Sequence, residues 1–360
     1  MSDFHLKLIK EINRQSRQKP DNACVNRFRP HVSSRVKLIH YFQVIMNNLQ
    51  RTFSKLTKSY LSRYEPTLLL LDQNNYFVNS IYCFEKAYEK LGDEASKEKY
   101  LSYISFNYIR RYGARLPFDI ESFDAYEREL SSIVDTDGYQ LISVNENEVY
   151  LPFDPIGFTI NFKLQQYAYQ NRVVIENGDV VLDCGAANGD TALYFTAYGA
   201  SKVYSFEFLK ENIIKFNNTM LRNKAFSNLI ELVERALWDE SNIRLSFSEN
   251  GNATSVQKCS SNEGDTVQTI TIDEFTAQKG THVDFIKMDI EGAELNALRG
   301  AKETILKYKP KLAICVYHKD DDLVSIPDFI DSLNCDYEMY FDYYTDTGAE
   351  AVLYARAVDK

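Results

Sequence analysis

One segment, VVLDCGAANGDTALYF from Val180, limits what this chain can fold into more than any other. Apolar residues suited to a buried strand stop at Asp183. Gly185, Ala186, Ala187 and Gly189 then supply a turn, and TALYF resumes as a helix. A surface loop has no use for so bare a backbone. A backbone that passes close to a bound molecule does, because glycine admits positive φ and leaves no side chain in the way. A strand that turns directly into a helix is also half of a βαβ unit, which commits the following chain to a parallel sheet.

The downstream sequence repeats the pattern. KVYSFEF precedes ENIIKFNNTMLRN, and LIELVERALW, IRLSFSE and TVQTITI follow. VDFIKMDI then runs into a helix over EGAELNALRGAKETILKY, KLAICVYH into a helix around IPDFIDSL, and YEMYFDYY and EAVLYARA come last. Near-continuous apolar strands alternating with helices predict an α/β sheet covered on both faces. Residues 1–138 differ. Their apolar groups recur every three or four positions, and glycine is confined to Gly92, Gly113 and Gly138, which predicts a mainly helical N-terminal domain. DTDG at Asp135–Gly138 marks the boundary, and YQLISV and EVYLPF around NEN open the second domain, 139–360, as a hairpin.

Composition narrows the function class. The 360 residues carry a net charge of −10, yet residues 1–65 hold 13 Lys and Arg against 4 Asp and Glu. Such a basic arm suits either an anionic surface, with peripheral membrane contact, or a solvated helix face. Six scattered cysteines without a CxxC pair read as reduced thiols of a cytoplasmic protein. The start MSDFHLKLIK has no h-region, and the longest pure apolar run, Leu68–Leu71, is too short to cross a membrane. No aromatic-interleaved RNA-binding motif is present, so no nucleic-acid partner is expected.

In a sheet of this kind ligands bind beyond the carboxyl ends of the strands. That places Asp183 to Asp190, Glu207, Ala236 to Trp238, Asp289 to Glu291 and His318 on one rim. A nicotinamide dinucleotide wants G-x-G-x-x-G. Here that register would fall on Gly185, Ala187 and Asp190 and set a carboxylate against the pyrophosphate. D-x-G-x-x-x-G, as Asp183, Gly185 and Gly189, suits a ligand with a cationic end. Glu207 ends the next strand, where a carboxylate accepts hydrogen bonds from ribose hydroxyls. Adenosine with a positive amino-acid tail describes S-adenosylmethionine.

DCGAANGDTALYF, VYSFEF, ALWDE, ITIDEF and FIKMDIEGAELNALRGAKETI, in this order, resemble the FkbM-type family of S-adenosylmethionine-dependent methyltransferases over about residues 140–356. The D-I-E-G-A-E block with the upstream T-I-D-E-F is the specific part. The resemblance implies a Rossmann-like seven-stranded class I methyltransferase sheet and O-methyl transfer to a small-molecule or glycan hydroxyl. It places Asp183, Gly185, Ala187, Asn188, Gly189 and Asp190 around the methionine half. Glu207 would hold the ribose, with Phe208, Ala236, Leu237 and Trp238 bordering the adenine. Ala187 stands where related turns carry glycine, which is tolerable if its φ is ordinary.

An alkyl hydroxyl must lose its proton as the new bond forms. His318, with an ordinary pKa near 6.5, is the expected base, and Asp289 accepts the proton or orients the acceptor. Lys287 is expected to contact substrate or to pair with Asp284 or Asp289. Glu291 and Thr254 are candidate acceptor contacts, and Glu294 reads as a helix-start acid. Asp289 and Glu291 offer oxygen ligands for a divalent cation, but no third ligand stands at a recognisable spacing, so no metal is expected.

Overall fold

The computed structural model describes residues 2–16, 76–109, 115–131, 138–250, 253–258 and 266–358. Most of the basic arm and the DTDG boundary therefore lie outside the described residues.

A seven-stranded sheet organises the molecule. In chain order its strands are β3 (Val180–Cys184), β4 (Lys202–Phe206), β5 (Ile230–Val233), β10 (Phe285–Met288), β11 (Lys311–Cys315), β12 (Tyr337–Tyr343) and β13 (Ala351–Ala357). The remaining strands are β1 (Tyr139–Val144) and β2 (Asn147–Pro152), then β6 (Ala236–Leu237), β7 (Arg244–Asn250), β8 (Ala253–Lys258) and β9 (Thr266–Ile270). The main sheet runs β12-β13-β11-β10-β3-β4-β5. β5, β4, β3, β10 and β11 are parallel, and β13 inserts antiparallel between β11 and β12. From β3 the chain builds outward through β4 and β5, then returns to β3's other flank with β10. This reversal of strand order opens a crevice at the carboxyl ends of β3 and β10.

The strands are buried on both faces, and side-chain alternation divides them between two layers. Val181, Phe285, Ala313 and Val352 pack into one, and Leu182, Ile286, Ile314 and Leu353 into the other. Each of these side chains larger than alanine contributes about 1.5–3 kcal/mol by leaving water. Register sets one polar consequence. Lys287 lies directly beside Asp183 across the β10–β3 pair, so both project into the same layer.

The N-terminal helices continue this core. Phe4, Leu8, Phe84, Tyr100 and Tyr103 share an apolar cluster with Leu323, Met339, Phe341 and Leu353. Helix Glu94–Ile109 lies along β12, its Ser96 hydroxyl accepting the Phe341 N–H at 3.0 Å and its Tyr100 hydroxyl donating to the Leu323 carbonyl at 2.8 Å. β1 and β2 form the expected hairpin, turning through Asn145 and Glu146, both at positive φ.

Two elements differ from the sequence reading. The segment between IRLSFSE and TVQTITI, left unassigned above, contributes β8, which pairs with β7 in a separate four-stranded sheet ordered β6-β9-β7-β8. The helix over EGAELNALRGAKETILKY is two helices, Glu294–Arg299 and Lys302–Tyr308. The break falls at Gly300, where a Cβ would collide with the Trp238 backbone carbonyl.

Candidate functional site

The turn after β3 is held by close approaches. Gly185 has φ +88°, and a Cβ there would sit inside the contact shell of the Asp289 carbonyl oxygen. Gly189, at φ +87°, starts helix Asp190–Ala197 against Phe216 and Met220. Ala187 has φ +42°. The expectation of an ordinary φ there fails, because the turn needs a left-handed residue between the two glycines. Asn188 is half-buried and its side-chain oxygen accepts the Asp190 N–H at 3.1 Å.

Asp183 does not face a ligand. Its carboxylate is fully buried, 3.2 Å from the Lys287 ammonium, and takes the Thr191 hydroxyl at 2.9 Å. Lys287 pairs with neither Asp284 nor Asp289, and it is too deep to be a substrate contact at 1% exposure. It donates instead to the Gly185 carbonyl at 2.6 Å and stands 5.2 Å from the Tyr167 ring centroid. The pair locks the turn from below. A charge isolated at that depth would cost several kcal/mol, so neither partner stands without the other.

Glu207 ends β4, as expected, with 7% of its surface exposed. Its carboxylate accepts four donors: the N–H groups of Ala187 at 3.1 Å, Phe208 at 2.6 Å and Leu209 at 2.8 Å, and the Asn212 amide at 3.0 Å. Those bonds use about all of a carboxylate's lone-pair directions. A ribose would have to displace some of them. Ala236 and Trp238 are buried with Leu245 and Ala293, and Phe208 and Ile290 pack against them. Leu237 points into the main core. The Trp238 indole N–H is buried without a partner, which leaves one donor for a polar atom in that slot. The Thr254 backbone lies on β8 opposite Glu249, and its side chain is outside the described ones.

The strand ends of β10 and β11 converge on an acid-rich cluster. Asp289 accepts the Tyr167 and Tyr317 hydroxyls, each at 3.1 Å, and lies 3.5 Å from His318 Nε2. His318 Nε2 is 3.7 Å from Glu291, and Nδ1 is 2.9 Å from Glu294. Glu294 does more than mark a helix start: it is fully buried, and its Oε1 also accepts the Ile290 N–H at 2.8 Å. Burial pulls the imidazole pKa down, but Glu294, Asp289 and Glu291 outweigh it and push it up to about 9. At neutral pH His318 is therefore an imidazolium, which corrects its assignment as a base of ordinary pKa. Burial raises Glu291 to about 7 and Asp190 to about 6. Glu350 is pushed up by its burial and by Asp289.

Several members of this cluster escaped the sequence reading. Gln166 donates to Glu350 at 2.7 Å, Tyr167 reaches Asp289, and Asn161 donates to Asp190 at 2.8 Å. They come from 161–167, spanning a π-helical turn at Thr159–Lys163 and an irregular stretch that has neither helical nor strand period. Among the described residues, no helix is long and apolar enough to cross a membrane.

Residues 183–339 match the family model described as the methyltransferase FkbM domain. No curated protein matches significantly. The crystal structure of methyltransferase FkbM from Methylobacillus flagellatus KT is similar at 22% identity and a TM-score of 0.51, over 77% of this chain and 59% of that one. This chain therefore spans little more than half of that relative's length. An rRNA methylase from Streptococcus thermophilus aligns at 12% identity and a TM-score of 0.34, covering 52% and 90% of the two chains. Fibrillarin from Aeropyrum pernix aligns at 13% and 0.38, covering 63% and 86%. The match to the FkbM methyltransferase domain begins at Asp183, near the end of β3, and takes in the turn, Glu207, Asp289, Glu291 and His318.

Proposed function

We propose that the protein transfers a methyl group to a hydroxyl of a sugar-containing metabolite or glycan. The observation that carries this reading is the joining of two features at one crevice. A positive-φ turn closes against the Asp289 backbone, and the Asp289 carboxylate, 22% exposed, lies within an acid cluster able to take hydroxyl protons.

The residues present fit the cofactor. Gly185, Ala187, Asn188, Gly189 and Asp190 would border its methionine half, and Phe208, Ala236 and Trp238 its adenine, where the unpartnered indole N–H awaits an acceptor; Glu207 would hold its ribose by exchanging some of its four present donors for ribose hydroxyls. Asp183 and Leu237 support these positions from within the core. When bound, the cofactor supplies an electrophilic methyl group on a positively charged sulfur. The protein's task is then alignment and proton removal. Asp289, oriented by Tyr167 and Tyr317, would take the proton of the acceptor's hydroxyl. His318 holds Asp289 and Glu291 in place as a cation, and Glu291 borders the acceptor. Lys287 acts at a distance by fixing the Gly185 carbonyl.

Incubation with methyl-labelled cofactor and a fractionated cell extract tests the proposal. Label in a small sugar-containing product supports it. Label on protein or RNA overturns the acceptor class. Asp289→Asn should lower kcat about 100-fold or more with cofactor affinity retained.

A further inference from the structure

We propose that Asp289, Glu294 and His318 form a binding site for a divalent cation of the Mn²⁺ kind, with Glu291 at its open side. The sequence offered two oxygen ligands, Asp289 and Glu291, and no third. The fold supplies the rest by bringing the end of β11 beside the loop that follows β10. One donor atom from each of Asp289, Glu294 and His318 lies within 4.8 Å of the other two. A shared metal at about 2.1 Å from each donor needs donors roughly 3.0–3.5 Å apart. His318 Nε2 already lies 3.5 Å from Asp289 Oδ1 and 3.7 Å from Glu291 Oε2, too far for a hydrogen bond and close to the spacing a cation would impose.

Two further observations point to a missing ligand. Glu294 is fully buried, and its Oε2 has no hydrogen-bond partner. A carboxylate oxygen left so at that depth is costly unless something positive meets it. His318 is nine-tenths buried, and its Nε2 likewise lacks a hydrogen bond while pointing between two carboxylates. Glu294 Oε1 stands 2.9 Å from Nδ1, which also lacks a hydrogen bond, so carboxylates flank the ring at both nitrogens. The cation would take the place of the proton that His318 otherwise carries, the imidazole ligating in its neutral form.

The donor set and the access to it indicate the cation's class. One imidazole and two or three carboxylates with no thiolate favour a hard to borderline ion over a soft one. Entry is from the Glu291 side, where the side chains of Glu291 and Asp289 are 39% and 22% exposed against 9% and 0% for His318 and Glu294. Both sides of the site are thus defined: a closed back made by Glu294 and the ring, and an open front toward the acceptor. Its use in catalysis rests on the proposed transfer. There a cation would hold the acceptor oxygen and favour its deprotonated form.

Binding is measured on chelator-treated full-length protein without cofactor or acceptor, so it does not depend on the transfer reading. Mn²⁺ titrated into the protein should lose the electron paramagnetic resonance signal of the free aqueous ion with a stoichiometry of one. Asp289→Asn and His318→Gln should weaken binding at least tenfold, with Glu291→Gln, a half-exposed position safe for folding, weakening it less. Failure of the wild-type protein to take up Mn²⁺ would overturn the proposal. Equal uptake by folded Asp289→Asn and wild-type protein would overturn it too.

Discussion

Asp183 and Lys287 are the clearest single-residue constraint, because each is tolerable at that depth only beside the other. Lys287→Met should cost about 3–5 kcal/mol by stranding Asp183, and adding Asp183→Asn should recover part of the loss, as read from urea unfolding of both variants. Equal stability of the single variant and wild type would mean the ion pair does not hold the turn. Ala187 carries the opposite kind of strain, a left-handed φ of +42° on a residue with a Cβ. Ala187→Gly should therefore be neutral or raise stability by up to about 1 kcal/mol, where alanine-to-glycine changes at ordinary φ lower it. His318 shows why residue type alone misleads. Its place at a strand end could be read from KLAICVYH, but its charge is set by Glu291 and Glu294 from another segment. The sequence assigns a base where the fold holds a cation.

Among elements, the strand–turn–helix after β3 was legible because its demands are local: positive φ and closely packed backbone are written as Gly185 and Gly189. Gly185→Ala should lower stability by about 3 kcal/mol or more, since the new Cβ meets the Asp289 backbone, which cannot swing aside. A thermal shift of less than a few degrees would contradict that close approach. Strand ends and parallel order could be read from apolar alternation, so Glu207, Asp289 and His318 were placed on one rim in advance. Register could not, and with it went the Lys287 pairing, which arises only when β10 lies beside β3. The stretch carrying Gln166 and Tyr167 has no period to signal it, and β8 lacks the continuous apolar run that marks a buried strand. Glu294 was visible as a helix-start acid, but its contact with His318 needs two loops to meet.

For the whole molecule, the acid cluster sets an unusual dependence of stability on pH. Glu291 and Asp322 are raised to about 7 and Asp190 to about 6, burial being the main cause. The folded chain therefore keeps protons that the unfolded chain releases near pH 4, and stability falls as pH rises through that window. His318 adds to the slope. Its contribution is complete below about pH 6.5 and is lost as pH rises through its folded value of about 9. The melting temperature should thus be higher near pH 5.5 than near pH 8.5, with His318→Asn flattening the upper part of the curve. A melting temperature that rises over that range would contradict the charge assignments.

The central claim is that the crevice beyond β3 and β4 holds an adenosyl cofactor whose ribose Glu207 grips. Calorimetric titration of S-adenosylhomocysteine into wild-type and Glu207→Ala protein tests it most directly. The account predicts one site per chain in the wild type and at least a tenfold loss of affinity in the variant, with folding intact by circular dichroism. No binding by the folded wild-type protein, or equal binding by both, would contradict it.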